Sequence, residues 1–509
     1  MDRLIGIETE YGIVVEGMSA GDWIHESREL VQCCDAPWVS GWNYRGEDPR
    51  RDMRGFTVHN LSTNPDDAQF DAGKGPFMSR EEERSDRVLS NGARFYNDHG
   101  HPEYATPECR TLMDIIAHDK AGERIVLAAA AQRTQKTGKL VTLYKNNTDF
   151  HGASYGAHEC YLMRRDVPTD TLIQLLLPFF VTRCLYAGAG KSGAENTGQA
   201  QSDVFQLSQR ADFFAVDASV DTLHNRPIVN TRDEPHATPR HYRRLHVICG
   251  DANMSEYAGA LKIGTTSLVL TALEMGMKIP IHLADPVAAA RIVSRDISLN
   301  QTLKTSDGKH VSALDIQRLY LHEVCKLVEG RDEETNWILT EWGQVLEKLE
   351  TSVDSLSDEL DWVAKYNLLN PFREENGLSW NDPHIMSLDL AYHNIDPESG
   401  LYYGMEQAGR MRRIVTEARI QAAMRCAPAN TRAYLRGIFV QRFGSHVKSV
   451  GWNGVAFRHQ EEDMLFDMNS LVEENVVLLN EEFASARTLN DVLLIMASDT
   501  QSEGEQTND

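Results

Sequence analysis

The sequence has little of what marks a secreted or membrane protein. It holds 8 cysteines among 509 residues; Cys33 and Cys34 are adjacent and the others are scattered, so none has the spacing of a metal-binding pair. Unpaired thiols indicate a reducing compartment, and we expect a cytoplasmic protein. The chain also lacks an apolar run of about 18 residues and a basic start followed by an apolar core. We therefore expect neither a membrane span nor a signal sequence.

Positive charge is scarce as well. The chain carries 51 basic and 75 acidic residues, a formal net charge of −24. A phosphate backbone would be repelled by this excess, so we expect no general nucleic-acid binding, and an acidic partner would have to meet a local basic patch. Hydrophobic residues make up 41% of the sequence. That is enough for a large core, in one large domain with an appendage or in several domains.

The stretch Asn91–Thr106 concentrates chemically active side chains. It opens on an Asn-Gly turn signal and continues as a predicted strand. Alternate side chains of a strand share a face, so Arg94, Tyr96 and Asp98 lie on one side. A cation, a phenol and a carboxylate are costly to bury together unless they have partners. This face therefore lies either in water or in a site that holds counter-charges such as phosphate and metal.

The first strand, predicted over Leu4–Val15, has the same design. It is mostly apolar but carries Glu8 and Glu10, which are two residues apart and therefore share a face. Carboxylates in an apolar strand are rarely buried without a partner, and clustered oxygen atoms suit a hard cation such as Mg²⁺. The alternative is an edge strand whose acidic face is solvated.

A long loop is predicted over residues 39–84. This segment is rich in Gly, Pro, Asp, Asn and Arg, and its few apolar residues follow neither a helical nor a strand period. A loop of this length in a compact domain is usually functional or disordered. We expect a mobile loop with a role in function, and an ordinary surface loop is the alternative.

Several arginines lie beside short apolar runs between residues 208 and 253. Guanidinium groups bind phosphates and carboxylates in bidentate geometry, so these arginines are candidates for binding nucleotide phosphate or a substrate carboxylate. The candidates are Arg210, Arg232, Arg243 and Arg244. Structural salt bridges with Asp233, Glu234 and Asp251 are the alternative for about half of them.

Three further features each have two interpretations. His158, beside Glu159, is either a metal ligand or a hydrogen-bonded structural histidine. Trp452 offers either a flat surface for an adenine ring or an anchor for the core. The segment Gly188–Ser192 resembles a phosphate-binding glycine loop. The Walker pattern, however, requires a glycine where this chain has Leu185, so we interpret the segment as a turn.

The acidic stretches resemble those of a known family. Three motifs carry the resemblance: GIETEYG at Gly6–Gly12, NGAR at Asn91–Arg94 and HPEY at His101–Tyr104. They look like motifs of the family of the Pup ligase and the Pup deamidase/depupylase, enzymes that attach or remove the small protein modifier Pup. The resemblance extends from Leu4 to about Met496. It implies an α+β fold, with a glutamine synthetase-like curved antiparallel sheet backed by helices and a small C-terminal domain.

The resemblance also implies a division of the chain. We expect a large catalytic domain over 1–429, with its active site on the concave face of the sheet, and a small C-terminal domain over 430–497. Ala117–Gln135 has apolar residues at helical intervals and predicts one of the backing helices. The polar tail, 498–509, is expected to be disordered.

Two features distinguish the branches of this family. The deamidase/depupylase branch has an insertion near the active site, and the loop residues that match its pattern are Trp42, Tyr44, Pro49, Arg51, Asp52, Arg54, Gly55 and Phe56. The short spacing from Asp98 to Glu103, with its His-x-His, is also typical of that branch. By contrast, Tyr104–Thr106 and Asn253–Glu256 are closer to the ligase branch. Because a changed length shifts a whole turn, we favour the deamidase/depupylase branch.

The resemblance implies roles for individual residues. Asp98 is the expected catalytic carboxylate. The expected metal site, for Mg²⁺, comprises Glu8, Tyr96 and Glu103, with Glu10 and His158 close by. The expected nucleotide contacts are Arg94, Thr106 and Trp452, to which we add Arg210 and Arg232. Arg243 and Arg244 are candidate substrate contacts, and with Arg410, Arg412 and Arg413 they are candidates for a basic strip that meets acidic Pup.

The expected reaction is hydrolysis at the side-chain amide of the C-terminal residue of Pup. It would deamidate a terminal Gln to Glu or cleave the isopeptide bond to a substrate lysine, with ATP (or ADP with phosphate) and Mg²⁺ as cofactors. Asp98 either attacks the carbonyl or activates water. The partners would be Pup and pupylated proteins. The alternatives are an ATP-consuming Pup ligase, a non-enzymatic Pup-binding regulator and a small-molecule carboxylate-amine ligase.

Overall fold

The computed structural model describes residues 3–19, 22–59, 61, 84–195, 202–472 and 476–506. The strands are β1 (Ile5–Glu10), β2 (Gly12–Val15), β3 (Trp38–Val39), β4 (Arg87–Leu89), β5 (Arg94–Asp98), β6 (His101–Ala105), β7 (Val141–Tyr144), β8 (Ala157–Arg164), β9 (Lys191–Ser192), β10 (Phe205–Gln206), β11 (Val216–Ser219), β12 (Pro227–Asn230), β13 (Tyr242–Val247), β14 (Thr302–Lys304), β15 (His310–Ser312), β16 (Val447–Gly451), β17 (Gly454–His459) and β18 (Glu462–Asp467).

The helices account for most of the remaining regular structure. They are α1 (Trp23–Gln32), α2 (Leu112–Thr137), α3 (Thr169–Ala187), α4 (Glu256–Glu274), α5 (Pro286–Arg295), α6 (Ala313–Val328), α7 (Glu333–Thr351), α8 (Asp361–Asn376), α9 (Pro383–Tyr392), α10 (Leu401–Gln407), α11 (Glu417–Ala423), α12 (Arg432–Phe443), α13 (Val476–Ser485) and α14 (Leu489–Gln506).

A seven-stranded antiparallel sheet organises the fold. Its strand order is β13-β8-β1-β6-β5-β4-β3, so the first strand of the chain lies near the middle. Burial alternates along β1: Ile5 and Ile7 pack into the main core with Ile115 of α2, whereas Glu8 and Glu10 are half-buried on the other face. The sheet therefore has an apolar face backed by helices and a polar face that is free for chemistry.

The backing helix α2 shows why the local sequence forms it. The predicted helix, Ala117–Gln135, lies within Leu112–Thr137. The side chain of Thr111 accepts a hydrogen bond from the backbone N–H of Asp114 at the start, and Gly138, with φ 70°, ends the helix in the left-handed conformation. These caps satisfy terminal backbone groups and explain why the helix is longer than its apolar pattern.

Helix α3 lies within the core. By length and composition alone it could cross a membrane, whereas no apolar run of this length was predicted from the sequence. However, 72% of that window is buried inside the protein, where α3 packs against α4, α5 and α6. A core helix passes the same test of length and composition as a membrane span.

The C-terminal part forms its own small sheet and core. Strands β16, β17 and β18 make an antiparallel sheet that packs against α12 and α13. This core also takes in Val39 of β3 and Val88 of β4, so the C-terminal part covers one end of the large sheet. Helix α14 runs to Gln506, beyond residue 498, where the sequence predicted a disordered tail.

Two N-terminal segments differ from their predicted form. The single strand expected over Leu4–Val15 is divided at Tyr11: β1 belongs to the large sheet and β2 pairs with β7. The first part of the loop expected over 39–84 packs against the body, since the N–H of Met53 donates to the carbonyl of Thr231 at 2.7 Å. Residues 62–83 of that loop lie outside the described residues.

Candidate active site

Polar side chains from four strands meet on the open face of the sheet. Glu10 of β1 and Tyr96 of β5 both lie opposite Glu103 of β6, and Glu8 of β1 lies opposite His158 of β8. These positions follow from the register together with the alternation that the sequence predicted. Antiparallel pairing thus brings together two sequence stretches about 90 residues apart.

Three carboxylates form the centre of the site. Oxygen atoms of Glu10, Asp98 and Glu103 all lie within 4.8 Å of one another. Glu103 is 1% exposed, and its only hydrogen bond among the described contacts comes from the hydroxyl of Tyr96, at 2.5 Å. Burial raises the pKa of Glu103 well above its usual value, and the charges of Asp98, Glu10 and Glu8 raise it further. The cluster has the chemistry of a site for a hard divalent cation.

A second group of potential ligands surrounds Glu8. Glu8 Oε2 lies 3.5 Å from His158 Nδ1 and 4.0 Å from His246 Nδ1, and Glu8 Oε1 lies 3.4 Å from Cys160 Sγ. Burial alone would raise the pKa of Glu8, but the hydrogen bond from His158 and the charges of His246 and Arg244 hold it well below its usual value. Glu8 is therefore ionised and balanced by cationic and imidazole groups.

Cys160 and His246 were not predicted from the sequence. Cys160 follows His158 by two residues on β8, and His246 follows Arg244 by two residues on β13, so strand alternation alone could have placed both on this face. Strand alternation does not predict that β8 pairs with β13. This pairing sets His246 opposite Cys160.

Asp98 ends β5 at a tight turn. His99 and Gly100 both have positive φ, 45° and 91°, as the hairpin to β6 requires. A Cβ at Gly100 would overlap the ring of Trp23 at the start of α1, so this turn accepts only glycine at that position. The hairpin fixes Asp98 at the rim of the carboxylate cluster.

Asp98 is paired with Arg84, which was not predicted from the sequence as a site residue. Arg84 Nη1 lies 2.5 Å from Asp98 Oδ1, and the guanidinium lies over the ring of Tyr96 at 5.7 Å. Burial would raise the pKa of Asp98, but Arg84, followed by His99 and Arg94, lowers it. Asp98 is therefore present as a carboxylate, the form required of a base or nucleophile.

Arg94 lies deeper, beneath the described part of the loop. Its guanidinium is stacked between the rings of Trp42, at 4.2 Å, and Tyr96, at 3.8 Å, and its Nε donates to Asp86 at 2.8 Å. Asp86 also accepts a short hydrogen bond from the hydroxyl of Tyr44. The Trp-x-Tyr start of the predicted insertion therefore packs directly onto a predicted site residue.

A pocket opens beside Glu8, at the junction with the C-terminal part. Its lining combines apolar, aromatic and cationic groups and includes Leu4, Gly6, Thr106, Leu162, His236, Arg244, Arg432 and Trp452. Trp452 is held edge-on by Trp42 at 5.0 Å and flanked by Arg436 at 4.9 Å. Thr106 is at the pocket floor, where its Oγ1 accepts from the N–H of Ile7 at 3.0 Å. The pocket has the flat, partly apolar walls that suit a planar ring.

Adjacent arginines on β13 lie on opposite faces of the sheet. Arg244 reaches the site, with Nη1 3.4 Å from Glu8 and Nη2 3.0 Å from Glu234. Arg243 does not, because it points to the other face, where it donates to Thr169 and to the carbonyls of Arg165 and Val167. Consecutive strand residues cannot share a face, and this excludes Arg243 from the cleft.

The other predicted arginines are engaged in the walls. Arg210 is buried and donates to Ser154 Oγ and to the carbonyls of Tyr155 and Ile248. Arg232 donates to the carbonyl of Val220 and to Thr222 Oγ1, and its charge interacts with Asp98 and Glu8. In the predicted basic strip, Arg412 forms ion pairs with Glu341 and Glu359, and Arg413 with Glu256.

Comparisons of sequence give the family of this chain. A family model described as Pup-ligase protein matches residues 3–456. The chain therefore belongs to the Pup-ligase protein family. It is similar to the depupylase of Acidothermus cellulolyticus, with 42% identity over 91% of this chain and 93% of that protein. It is likewise similar to the Pup deamidase/depupylase of Mycolicibacterium smegmatis, with 41% identity over 90% of this chain and 92% of that protein.

Solved structures of the same family share the fold. The ligase PafA in complex with the prokaryotic ubiquitin-like protein Pup has a TM-score of 0.76 and 32% identity, and the match covers 97% of this chain and 94% of that one. PafA in complex with ADP has a TM-score of 0.71 and 34% identity, covering 85% and 96%. The predicted glutamine synthetase-like α+β fold is confirmed.

Proposed function

We propose that this protein is a Pup deamidase/depupylase. The observation that carries the proposal is the identity of 41–42% to relatives named as depupylases over about nine-tenths of both chains. The site is chemically equipped for the reaction, because a carboxylate, Asp98, lies at the rim of a cluster suited to a cation. The enzyme would convert the C-terminal Gln of Pup to Glu and cleave the bond between that Glu and a substrate lysine.

The cofactor Mg²⁺ fits the donors of this site. Glu103 is buried among like charges, and the one hydrogen-bond partner it has among the described residues is a phenol, which is unfavourable without a compensating cation. We assign Mg²⁺ binding to Glu8, Glu10, Tyr96, Glu103 and His158. When bound, the ion would neutralise the carboxylates and supply positive charge that stabilises an oxyanion.

The second proposed cofactor is ATP, or ADP with phosphate. PafA binds ADP on the same fold. Trp452 lines the pocket beside Glu8, and we assign stacking on the adenine ring to it. Thr106 lines this pocket. The charge of Arg232 interacts with Glu8, which also lines it, and Arg94 stacks on Trp42, which contacts Trp452. Arg210 would act indirectly, because it donates a hydrogen bond to the carbonyl of Tyr155 and so holds this part of the cleft wall. Amide hydrolysis needs no stoichiometric ATP, so the nucleotide would organise the site.

Asp98 is the proposed catalytic residue. It is ionised and partly accessible, with 18% of its side chain exposed. It would either attack the terminal side-chain carbonyl of Pup, to give an acyl intermediate, or take a proton from the attacking water. In both cases the C–N bond breaks, a C–O bond to water oxygen replaces it, and the nitrogen leaves as ammonia or as the lysine amine. Arg244, beside Glu8, is the remaining candidate for contact with the substrate carboxylate.

Mass spectrometry of two substrates tests this proposal. Pup ending in Gln and a Pup-lysine conjugate are incubated with the protein, Mg²⁺ and ATP, and ATP consumption is followed in parallel. We expect Gln to become Glu and the conjugate to be cleaved, without matching ATP consumption. Asp98→Asn keeps the shape of the side chain and should abolish both reactions. Asp307→Asn, at an exposed turn between β14 and β15, is the matched control and should leave both unchanged.

The same experiment tests the alternative function. The two solved structures described above are of the Pup ligase PafA, so ligation is the competing activity. A ligase would act only on Pup ending in Glu, would form lysine conjugates and would consume ATP with each product. That outcome would overturn the deamidase/depupylase proposal.

A further inference from the structure

The ion pair between Arg84 and Asp98 places a permanent cation on the proposed catalytic carboxylate. Arg84 Nη1 contacts Asp98 Oδ1 at 2.5 Å, and the two side chains are 21% and 18% exposed. The pair is therefore neither sealed in the core nor fully solvated. It lies at the rim, where an incoming nucleophile must approach Asp98.

The backbone next to Arg84 is clamped, which keeps the guanidinium in place. Asp86, two residues further along, is 1% exposed and accepts hydrogen bonds from Arg94 and Tyr44. Arg87 stacks on the ring of Trp38 at 3.8 Å. The ion pair is thus anchored by the start of β4, and its position does not depend on the exposed side chains alone.

Two classes of nucleophile could be activated by Asp98. Water is neutral. A lysine side chain arrives mainly as an ammonium ion at neutral pH, and a carboxylate must attract it and remove its proton. The guanidinium on Asp98 Oδ1 occupies one of the two oxygens that this ammonium would approach, and its charge repels a cation at either oxygen. Arginine keeps its charge at any accessible pH, so the obstacle is permanent.

We propose that Arg84 is a specificity-determining residue, which admits water to Asp98 and excludes cationic amines as acceptors. The proposal rests on the proposed amide hydrolysis. In the wild-type reaction, the C–N bond breaks and a C–O bond to water forms. In the excluded reaction, the amine forms a new C–N bond to the same carbonyl and gives up a proton, and the original nitrogen leaves as ammonia. Neither reaction requires ATP or a redox partner.

Product partition measures this selectivity directly. Pup ending in Gln is incubated with each enzyme, Mg²⁺, ATP and an excess of Nα-acetyl-lysine amide, and mass spectrometry gives the ratio of lysine adduct to hydrolysed Pup. We expect this ratio to rise about tenfold or more in Arg84→Gln. Arg84→Lys keeps a cation and should stay close to wild type. Arg45→Gln removes an exposed arginine from the same loop and should also match wild type.

A neutral acceptor distinguishes repulsion by the charge of Arg84 from obstruction by the bulk of its side chain. Hydroxylamine is largely uncharged at neutral pH, so its adduct ratio should change less than about twofold in Arg84→Gln. An equal rise with both acceptors would indicate that the side chain acts by bulk, and would overturn the proposal. So would an unchanged lysine ratio, or loss of turnover in an Arg84→Gln protein that melts like wild type. Failure of the wild-type enzyme to hydrolyse Pup would instead refute the proposed function.

Discussion

Two buried glutamates on opposite faces of the sheet have contrasting surroundings. Glu159 of β8 faces the helices and is 0% exposed; both its oxygens accept from Arg183 at 2.8 Å, and the hydroxyl of Tyr161 adds a third hydrogen bond at 2.6 Å. Glu103 of β6 faces the cleft and is 1% exposed, yet among the described residues it has one phenol as hydrogen-bond partner and carboxylates as neighbours.

This difference in charge compensation distinguishes a structural carboxylate, Glu159, from a proposed site carboxylate, Glu103. A buried carboxylate is costly unless its charge is compensated, and the fold itself provides this compensation on the helical face. On the open face the described residues leave this compensation incomplete, and we propose that a cation from solution supplies it. An acid that is buried among other acids is thus a better indicator of this site than burial or pKa alone.

Breaking the compensated pair should have the largest effect. Arg183→Met keeps the length of the side chain but leaves Glu159 buried without its cation, and removing one partner of a buried pair costs about 3–5 kcal/mol of unfolding free energy. Urea denaturation followed by circular dichroism measures this cost. Arg458→Met, which breaks an exposed pair with Asp463, is the control and should have little effect.

A double variant checks the cause. Adding Glu159→Gln to Arg183→Met removes the uncompensated charge, so part of the lost stability should return. If the single variant behaved like Arg458→Met, or if the double variant were less stable than the single one, the helical face would not owe its stability to charge compensation.

A third carboxylate, Glu108, predicts how charge compensation makes stability depend on pH. Glu108 is clamped by Arg432 and Arg436 of α12; burial would raise its pKa, but these two arginines lower it from 4.5 to about 2. A lowered folded-state pKa stabilises the protein above pH 4.5, and this stabilisation is lost as the pH falls from about 4.5 to about 2. It amounts to about 3 kcal/mol at neutral pH.

The unfolding free energy of wild type and Glu108→Gln should therefore converge in acid. At pH 7 the variant is expected to be less stable than wild type. The difference between their unfolding free energies should narrow as the pH falls below 4.5. Glu462→Gln, at an exposed position on β18, is the control for a general change in charge. A gap that stayed constant with pH would show that the ion pairs with α12 are not the source of the difference.

Much of the site could be predicted from local sequence. Strand alternation placed Arg94, Tyr96 and Asp98 together on one face of β5 and Glu8 and Glu10 together on one face of β1. In the structure both groups lie on the open side of the sheet. The motifs also gave the family. These features depend on residues within a few positions of one another, which is the range over which the period of a strand is informative.

The remaining features depend on pairing between distant segments. Register decides that Glu10 faces Glu103, and that Arg244 rather than Arg243 enters the cleft. Arg84 belongs to a segment without strand or helix periodicity, so nothing local indicated its contact with Asp98. Alternation gives the two faces of a strand but not which face will meet which neighbour.

The smallest predicted change in stability is that of Glu103→Gln, and it contrasts the cleft face of the sheet with the helical face. Replacing Glu103 by Gln removes an acid whose ionisation is disfavoured in this cluster while keeping the hydrogen-bonding shape of the side chain. The metal-free variant should therefore be more stable than metal-free wild type, by about 1 kcal/mol, because burial and like charges both disfavour ionised Glu103. On the helical face, by contrast, Glu159→Gln should destabilise.

Mg²⁺ should reverse the order of stability of wild type and Glu103→Gln. A ligand that binds the folded state at about 100 times its Kd stabilises it by about 2.7 kcal/mol, so Mg²⁺ should raise the melting temperature of wild type and of Glu159→Gln. Glu103→Gln lacks a proposed ligand and should respond weakly. Melting curves in EDTA and in Mg²⁺ measure both effects. If Glu103→Gln were less stable than wild type in EDTA and responded fully to Mg²⁺, Glu103 would be a structural acid like Glu159, and the cation would have to bind elsewhere on this face.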